Sequence, residues 1–261
     1  MQKIIGSRGR QWLTVAAVLL AIAINALSNF YPPAGKNIGE VSNTTFADVL
    51  ITPAGYAFAI WGLIYVGLIA FSLYQALPAQ RQQPAISQVS WAVIGACLLQ
   101  ILWVYAFLTA RFWLSVVLML GILACLIAAY VQTRSVRPNR AVRWLLRAPI
   151  SVYFGWITVA AVVNISSALI ISLPAVWSTV FAGSVGLTAV MMAVSAGLAA
   201  IVALKYGDAF YPAVTVWALS AIAVRQSGNL LLAGLGVALS VGLSVVIVRI
   251  MTAGRRTSEP T

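Results

Sequence analysis

The chain contains no histidine, and only four of its 261 residues are acidic. The first absence removes the commonest metal ligand and the commonest haem axial ligand together. The second leaves no carboxylate in the interior of any apolar run, where proton- and ion-coupled pumps carry ionisable groups. No general base, nucleophile dyad or metal cluster remains for ordinary catalysis, so an enzyme is not expected. Cysteine is scarce too: Cys97 and Cys125 both lie in apolar runs without metal-type spacing, and no metal site is expected. Charged residues make up 8% of the chain, too few to coat a soluble domain of this size.

What fills the chain instead is apolar sequence, 62% of all residues. Its runs approach the roughly 20 residues needed to cross about 30 Å of hydrocarbon. Backbone groups in lipid must bond internally, which leaves helices or a closed barrel. These runs are too long and uniform for the alternating strands of a barrel. The expected fold is an all-α membrane protein, a polytopic helical bundle of about eight transmembrane helices. The spans fall near 12–29, 53–77, 89–109, 112–132, 148–172, 178–204, 209–224 and 229–250, the seventh being short. Prolines punctuate them: Pro32 and Pro33 after the first, Pro78 and Pro84 around the loop after the second, Pro138 before the fifth, and Pro174 at its end.

The net charge of +12 does not imply nucleic acid here. With the N-terminus inside, thirteen of the sixteen basic residues fall on the cytoplasmic side, and only Lys36, Arg111 and Arg225 fall outside. The expected location is a cell (inner) membrane, crossed several times, with both termini cytoplasmic. Lys3, Arg8 and Arg10 before an apolar run also fit a cleavable signal, but the run is long and holds Asn25, which favours a retained first helix. The loop at 30–52 is long and polar and carries Glu40 and Asp48. It reads as a lid or as disorder, and its "NTT" at 43–45 matches a glycosylation sequon.

Three spans share a pattern. In "SVYFGWITVAAVVN" (151–164), Tyr153, Trp156, Ala160 and Asn164 are spaced i, i+3, i+7, i+11, within about 80° of one another on a helix. Pro149 and Ser167 lie on the same stripe. In "QILWVYAFLTAR" (100–111), Gln100, Trp103, Phe107 and Arg111 repeat the spacing. In "PAGYAFAIWGLIY" (53–65), Phe58, Trp61 and Tyr65 form a shorter version with Tyr56 at its mouth. Aromatic belts belong at helix ends, as expected for Trp12, Tyr56, Trp113, Tyr130 and Trp144. Trp61, Trp103 and Trp156 lie deeper. Two readings are open: the stripes line one aromatic pocket, or Gln100 and Asn164 simply bond helix to helix. A pocket of this make-up suits a large, flat, apolar ligand with a few polar groups.

At these residues the chain resembles the TspO/MBR family, the tryptophan-rich sensory or translocator proteins. The family's second helix opens with a proline-containing loop, an aromatic-x-Phe step, Trp, and Tyr four later. Its third has an amide residue, Trp, Phe, and then an Arg opening the fourth helix. Its fifth has Tyr, Trp, Ala and Asn in the register found here. Departures are Tyr56 for the usual Trp, a step to Trp61 one residue shorter, Gln100 for Asn, and Val152 for the Pro before Tyr153. Met119 stands near the family's fourth-helix Asp. The sterol-type pattern is missing from the fifth helix, although Leu126, Tyr130 and Arg134 match it in the fourth.

The resemblance covers roughly 160 of the 261 residues. It implies a TspO-like five-helix core at 10–174 and a three-helix membrane extension at 175–252, rich in Ala, Gly, Ser and Val. It further implies binding of hydrophobic ligands such as tetrapyrroles (porphyrin, haem) or sterol-like molecules, in a sensory role. The ligand-binding residues would then be Tyr56, Phe58, Trp61, Tyr65, Gln100, Trp103, Phe107, Tyr153, Trp156 and Asn164, with no catalytic residue and no metal. No cofactor is expected, a tetrapyrrole being a ligand. Expected partners are a hydrophobic small molecule and membrane lipid, not nucleic acid, with a homodimer open. The alternative is a small-molecule transporter or exporter using all eight helices.

Overall fold

The computed structural model describes residues 2–173, 175, 180 and 184–256, with side chains described between 7 and 253. Pro174, the start of the sixth span at 178, and the side chains of Lys3, Arg255 and Arg256 lie outside the described residues. Among the described residues there is no strand. The main helices are α1 (Gln2–Phe30), α2 (Ile60–Ala76), α3 (Pro84–Leu108), α4 (Phe112–Arg134), α5 (Ala148–Ser172), α6 (Val185–Tyr206), α7 (Phe210–Arg225) and α8 (Leu230–Arg256). Among the described residues, seven helical stretches are long and apolar enough to cross a membrane. The exception is α7, whose 16 residues span about 24 Å, short of a hydrocarbon core of roughly 30 Å. Among the described residues the expected eight spans are thus seven long helices and one short one.

Local chemistry explains most boundaries. Pro84 occupies the first turn of α3, where its missing N–H costs nothing. Ser184 caps α6 by accepting from Leu187 N, and Gly207 closes it in the left-handed conformation at φ 61°. Asn229 Oδ1 accepts from Leu232 N at the start of α8. Between α3 and α4, Arg111 N donates to Ala106 O and Ala110 N to Phe107 O, the paired bonds of a Schellman turn. Ala110 holds the left-handed position at φ 59°, where glycine is usual. Arg111, expected on the α3 stripe, therefore lies in this turn.

A π turn at Arg143–Arg147 leads into α5. Pro149 accounts for it: with no N–H to return to the carbonyl four residues earlier, the chain takes up a wider turn just upstream.

The chain divides into two compact units, Met1–Val41 with Ala59–Ile157, and Ser42–Phe58 with Thr158–Thr261. In the first, α1 packs on α2 and α3, and α3 packs on α4. Amides stitch one end of it. Gln11 Nε2 donates to Gln75 O at 2.6 Å and Leu77 O at 3.2 Å, and Gln75 Nε2 returns a bond to Gln11 O at 3.0 Å. Arg81 Nε reaches Gln11 Oε1, and Arg10 reaches Arg81 O. Trp12, Trp113 and Trp144 are exposed, as interface anchors would be, but Tyr130 is buried. Its ring meets Phe154 at 5.2 Å, and the Arg134 guanidinium lies over it at 4.2 Å.

In the second unit α6, α7 and α8 pack on one another, and the segment 42–58 is fastened to α7. Phe46, Val49 and Ile51 are buried. Arg225 donates to Asn43 Oδ1 at 2.8 Å and Gln226 Nε2 to Leu50 O at 2.8 Å, while Ala54 N donates to Ala221 O at 3.1 Å. The preceding short helix, Ile38–Thr44, starts with a capping box between Asn37 and Glu40. The loop read as a lid or as disorder is therefore ordered along its length, and Asn43 of the "NTT" match spends its carbonyl on Arg225. Replacing Arg225 by alanine should loosen this segment. Limited proteolysis should then cut between 42 and 54 several-fold faster, at a stability loss of about 1 kcal/mol.

Candidate functional site

Within the first unit, α2, α3 and α5 bring part of each stripe together. Gly67 lets α2 approach the start of α5: a Cβ there would sit 3.2 Å from Pro149 Cβ. One turn further along α5, Tyr153 is fully buried. The Trp61 ring stands edge-on to the Tyr153 ring, centroids 6.1 Å apart, and Tyr65 lies beside Trp61 at 5.5 Å. The Tyr153 hydroxyl donates to Gln100 Oε1. Gln100 itself is buried, and its Nε2 has no hydrogen-bond partner. The Tyr65 hydroxyl is also buried, and its hydrogen-bonding neighbour is the Gln100 side chain, at a geometry short of a full hydrogen bond.

One turn along α3, Trp103 stacks on Phe107 at 5.1 Å, and Phe107 meets Phe112 edge-on at 5.8 Å. Trp103, Phe107 and Trp156 are all buried, so seven of the ten candidate residues lie in this unit. Cys97 is buried on the same helix as Gln100 and lies in the electrostatic surroundings of both Tyr65 and Tyr153. Cys125 Sγ is 3.2 Å from where a Cβ on Gly95 would be. Both thiols are free. The chemistry on offer is a buried amide and a buried hydroxyl that face each other short of a full hydrogen bond, among aromatic rings. Such a setting can orient an oxygen-bearing apolar molecule.

The other three candidates belong to the second unit. Tyr56 is 47% exposed and meets Trp217 edge-on at 5.4 Å. The Trp217 indole donates to Ala57 O at 3.0 Å. Phe58 is half-buried, and Asn164 is buried with its polar group engaged. Trp217 is the residue that pattern reasoning passed over here. It is the one tryptophan of α7, which carries no aromatic-and-amide stripe of the kind seen on the other helices, and its partner lies on a distant loop. The sterol-type pattern on α4 has a structural use: Arg134 covers the Tyr130 ring and donates to Ser151 Oγ at 3.2 Å. A cavity of about 20 Å³ lies among Ile51, Val159, Met192, Thr215 and Leu219 of the second unit, room for about one water and too small for a ligand.

These helices and buried aromatic faces define a multi-pass helical membrane protein with apolar, hydrogen-bond-donating interior surfaces. A family model described as TSPO-like protein matches residues 11–251, and the chain belongs to that family. The match runs through α6 and α7 and into α8, beyond the five helices to which the sequence resemblance was confined. In general terms, membership carries a ligand-binding or sensory role in the membrane, toward hydrophobic small molecules. No curated protein and no solved structure matches the chain.

Proposed function

We propose that the protein binds a flat hydrophobic ligand, of the tetrapyrrole or sterol-like kind, against the aromatic face formed by Trp61, Tyr65, Gln100, Tyr153 and Trp156. Trp103 and Phe107 extend that face along α3. The supporting observation is that Gln100 Nε2 and the Tyr65 hydroxyl, buried beside the rings, make no hydrogen bond of full geometry, to each other or to any other group. Each buried donor left unsatisfied costs about 1–3 kcal/mol, and a ligand carbonyl or carboxylate oxygen would recover that cost. Rings on either side would supply the apolar contact. For Tyr56, Phe58 and Asn164 the assignment rests on sequence spacing alone. The basic loops support an orientation with both termini in the cytoplasm.

Titrating protoporphyrin IX into the purified protein should quench tryptophan fluorescence saturably. Trp156→Leu, which also removes a buried ring and should lower the melting temperature, should weaken that binding about tenfold in the folded protein. Absence of saturable quenching by any tetrapyrrole, together with no saturable binding of a radiolabelled sterol, would overturn the reading.

A further inference from the structure

On the outer face of the second unit, α7 and α8 leave a groove of about 450 Å³. Its wall is apolar, formed by Val241, Val245 and Val248 of α8, all of them exposed. Its serines are spent within the protein: Ser220 Oγ lies 3.3 Å from Ser240 Oγ, and Ser244 Oγ donates to Ser240 O at 2.7 Å. At one end stands Arg249, and no carboxylate lines the groove. Among the described residues the Arg249 guanidinium takes part in no hydrogen bond or ion pair.

We infer that this groove holds one acyl chain of an anionic phospholipid, with the headgroup phosphate on Arg249. Length supports this occupant. Ser240 to Arg249 is nine residues, about 13 Å of helix, close to half of a hydrocarbon core of roughly 30 Å. The groove is thus one leaflet deep, with its cation where the headgroups lie. Charge supports it as well. A guanidinium with no partner among the described residues, at the end of an apolar groove, complements a phosphate that carries a hydrocarbon tail. A second copy of the chain fits poorly: a two-fold axis along the membrane normal would bring a second Arg249 to the same height, with no carboxylate from either groove to separate them. By the distribution of basic residues, the leaflet is the cytoplasmic one.

Native mass spectrometry of the delipidated full chain, titrated with dioleoyl phosphatidylglycerol or dioleoyl phosphatidylcholine, tests this. One phosphatidylglycerol per chain should be retained about fivefold more tightly than phosphatidylcholine. Arg249→Gln should abolish the preference and Arg249→Lys should keep it. Val245→Trp, which fills the groove, should lower retention of both lipids, while Arg137→Gln in the first unit should change neither. All three positions are exposed, so folding should survive each substitution. Equal retention of the two lipids by the wild type would overturn the inference, as would a preference that survives Arg249→Gln. A disulfide-linked dimer formed by Val245→Cys in liposomes would also overturn it, by seating a second copy on this face.

Discussion

Gly236→Val should prevent the second unit from folding stably, with a loss of more than about 3 kcal/mol and poor recovery from the membrane. The position is a close helix approach. A Cβ on Gly236 would lie 2.9 Å from Ala223 Cβ, 3.0 Å from Leu219 O and 3.2 Å from Met192 Cε. Two of these are groups of α7 that cannot swing aside, and Leu219 O belongs to the backbone. Gly236→Ala makes a sharper comparison because two terms oppose. Removing glycine from a helix interior is worth about 1 kcal/mol, whereas overpacking costs about 1–3 kcal/mol. The overlap with a backbone oxygen decides the sign, so alanine should still destabilise. Gly242, on the same helix, has nothing within 4 Å of its would-be Cβ. Gly242→Ala should therefore be neutral or stabilising. Thermal unfolding followed by size-exclusion fluorescence would rank the three variants, and a stable Gly236→Val protein would refute the packing account.

That contact also shows what was legible in the sequence. The pairing of Gly236 with Ser240 reads as a small-residue helix interface, and the glycine of that pair does meet α7. Span positions were legible because length and apolarity are local properties. The ends at Pro84, Gly207 and Asn229 follow from single residues whose backbone preferences need no tertiary partner. Order in the segment 42–58 was not legible. It depends on Arg225, Gln226 and Ala221, and the Arg225–Asn43 bond spans 182 residues of sequence. No local pattern reports a contact of that separation. Tyr130 illustrates a different limit: an aromatic residue at a helix end has the same sequence appearance whether it faces headgroups or a neighbouring helix. Here Phe154 and Arg134 decide the outcome.

For the candidate site, periodicity placed Tyr153, Gln100 and Trp61 on helix faces, and the structure brings these three into contact. Periodicity could not show that Gln100 uses its carbonyl on Tyr153 and leaves its amide nitrogen facing the Tyr65 hydroxyl without a full hydrogen bond. That asymmetry arises from the approach of three helices, and it turns an amide compatible with simple helix bonding into a candidate ligand contact.

Gln100→Leu should accordingly separate stability from binding. Stability should change little. The substitution leaves the buried Tyr153 hydroxyl without its acceptor, costing about 1–3 kcal/mol, but it also removes an unpaired buried Nε2 of comparable cost. The net change should stay within about 1 kcal/mol. Binding should fall much further for any ligand whose oxygen sits on that nitrogen, by about 2 kcal/mol, or roughly thirtyfold. An all-hydrocarbon-substituted porphyrin, lacking carboxylates, should bind the variant and the wild type about equally, because it has no acceptor to lose. Tyr153→Phe serves as the converse. It frees Gln100 Oε1 without touching Nε2, so it should weaken protoporphyrin IX binding less than Gln100→Leu does. If both porphyrins lose affinity in parallel in Gln100→Leu, the amide acts through packing and not through a hydrogen bond. If neither loses affinity, the ligand does not sit at this face, and the spare donors beside Trp61 belong to the helix bundle alone.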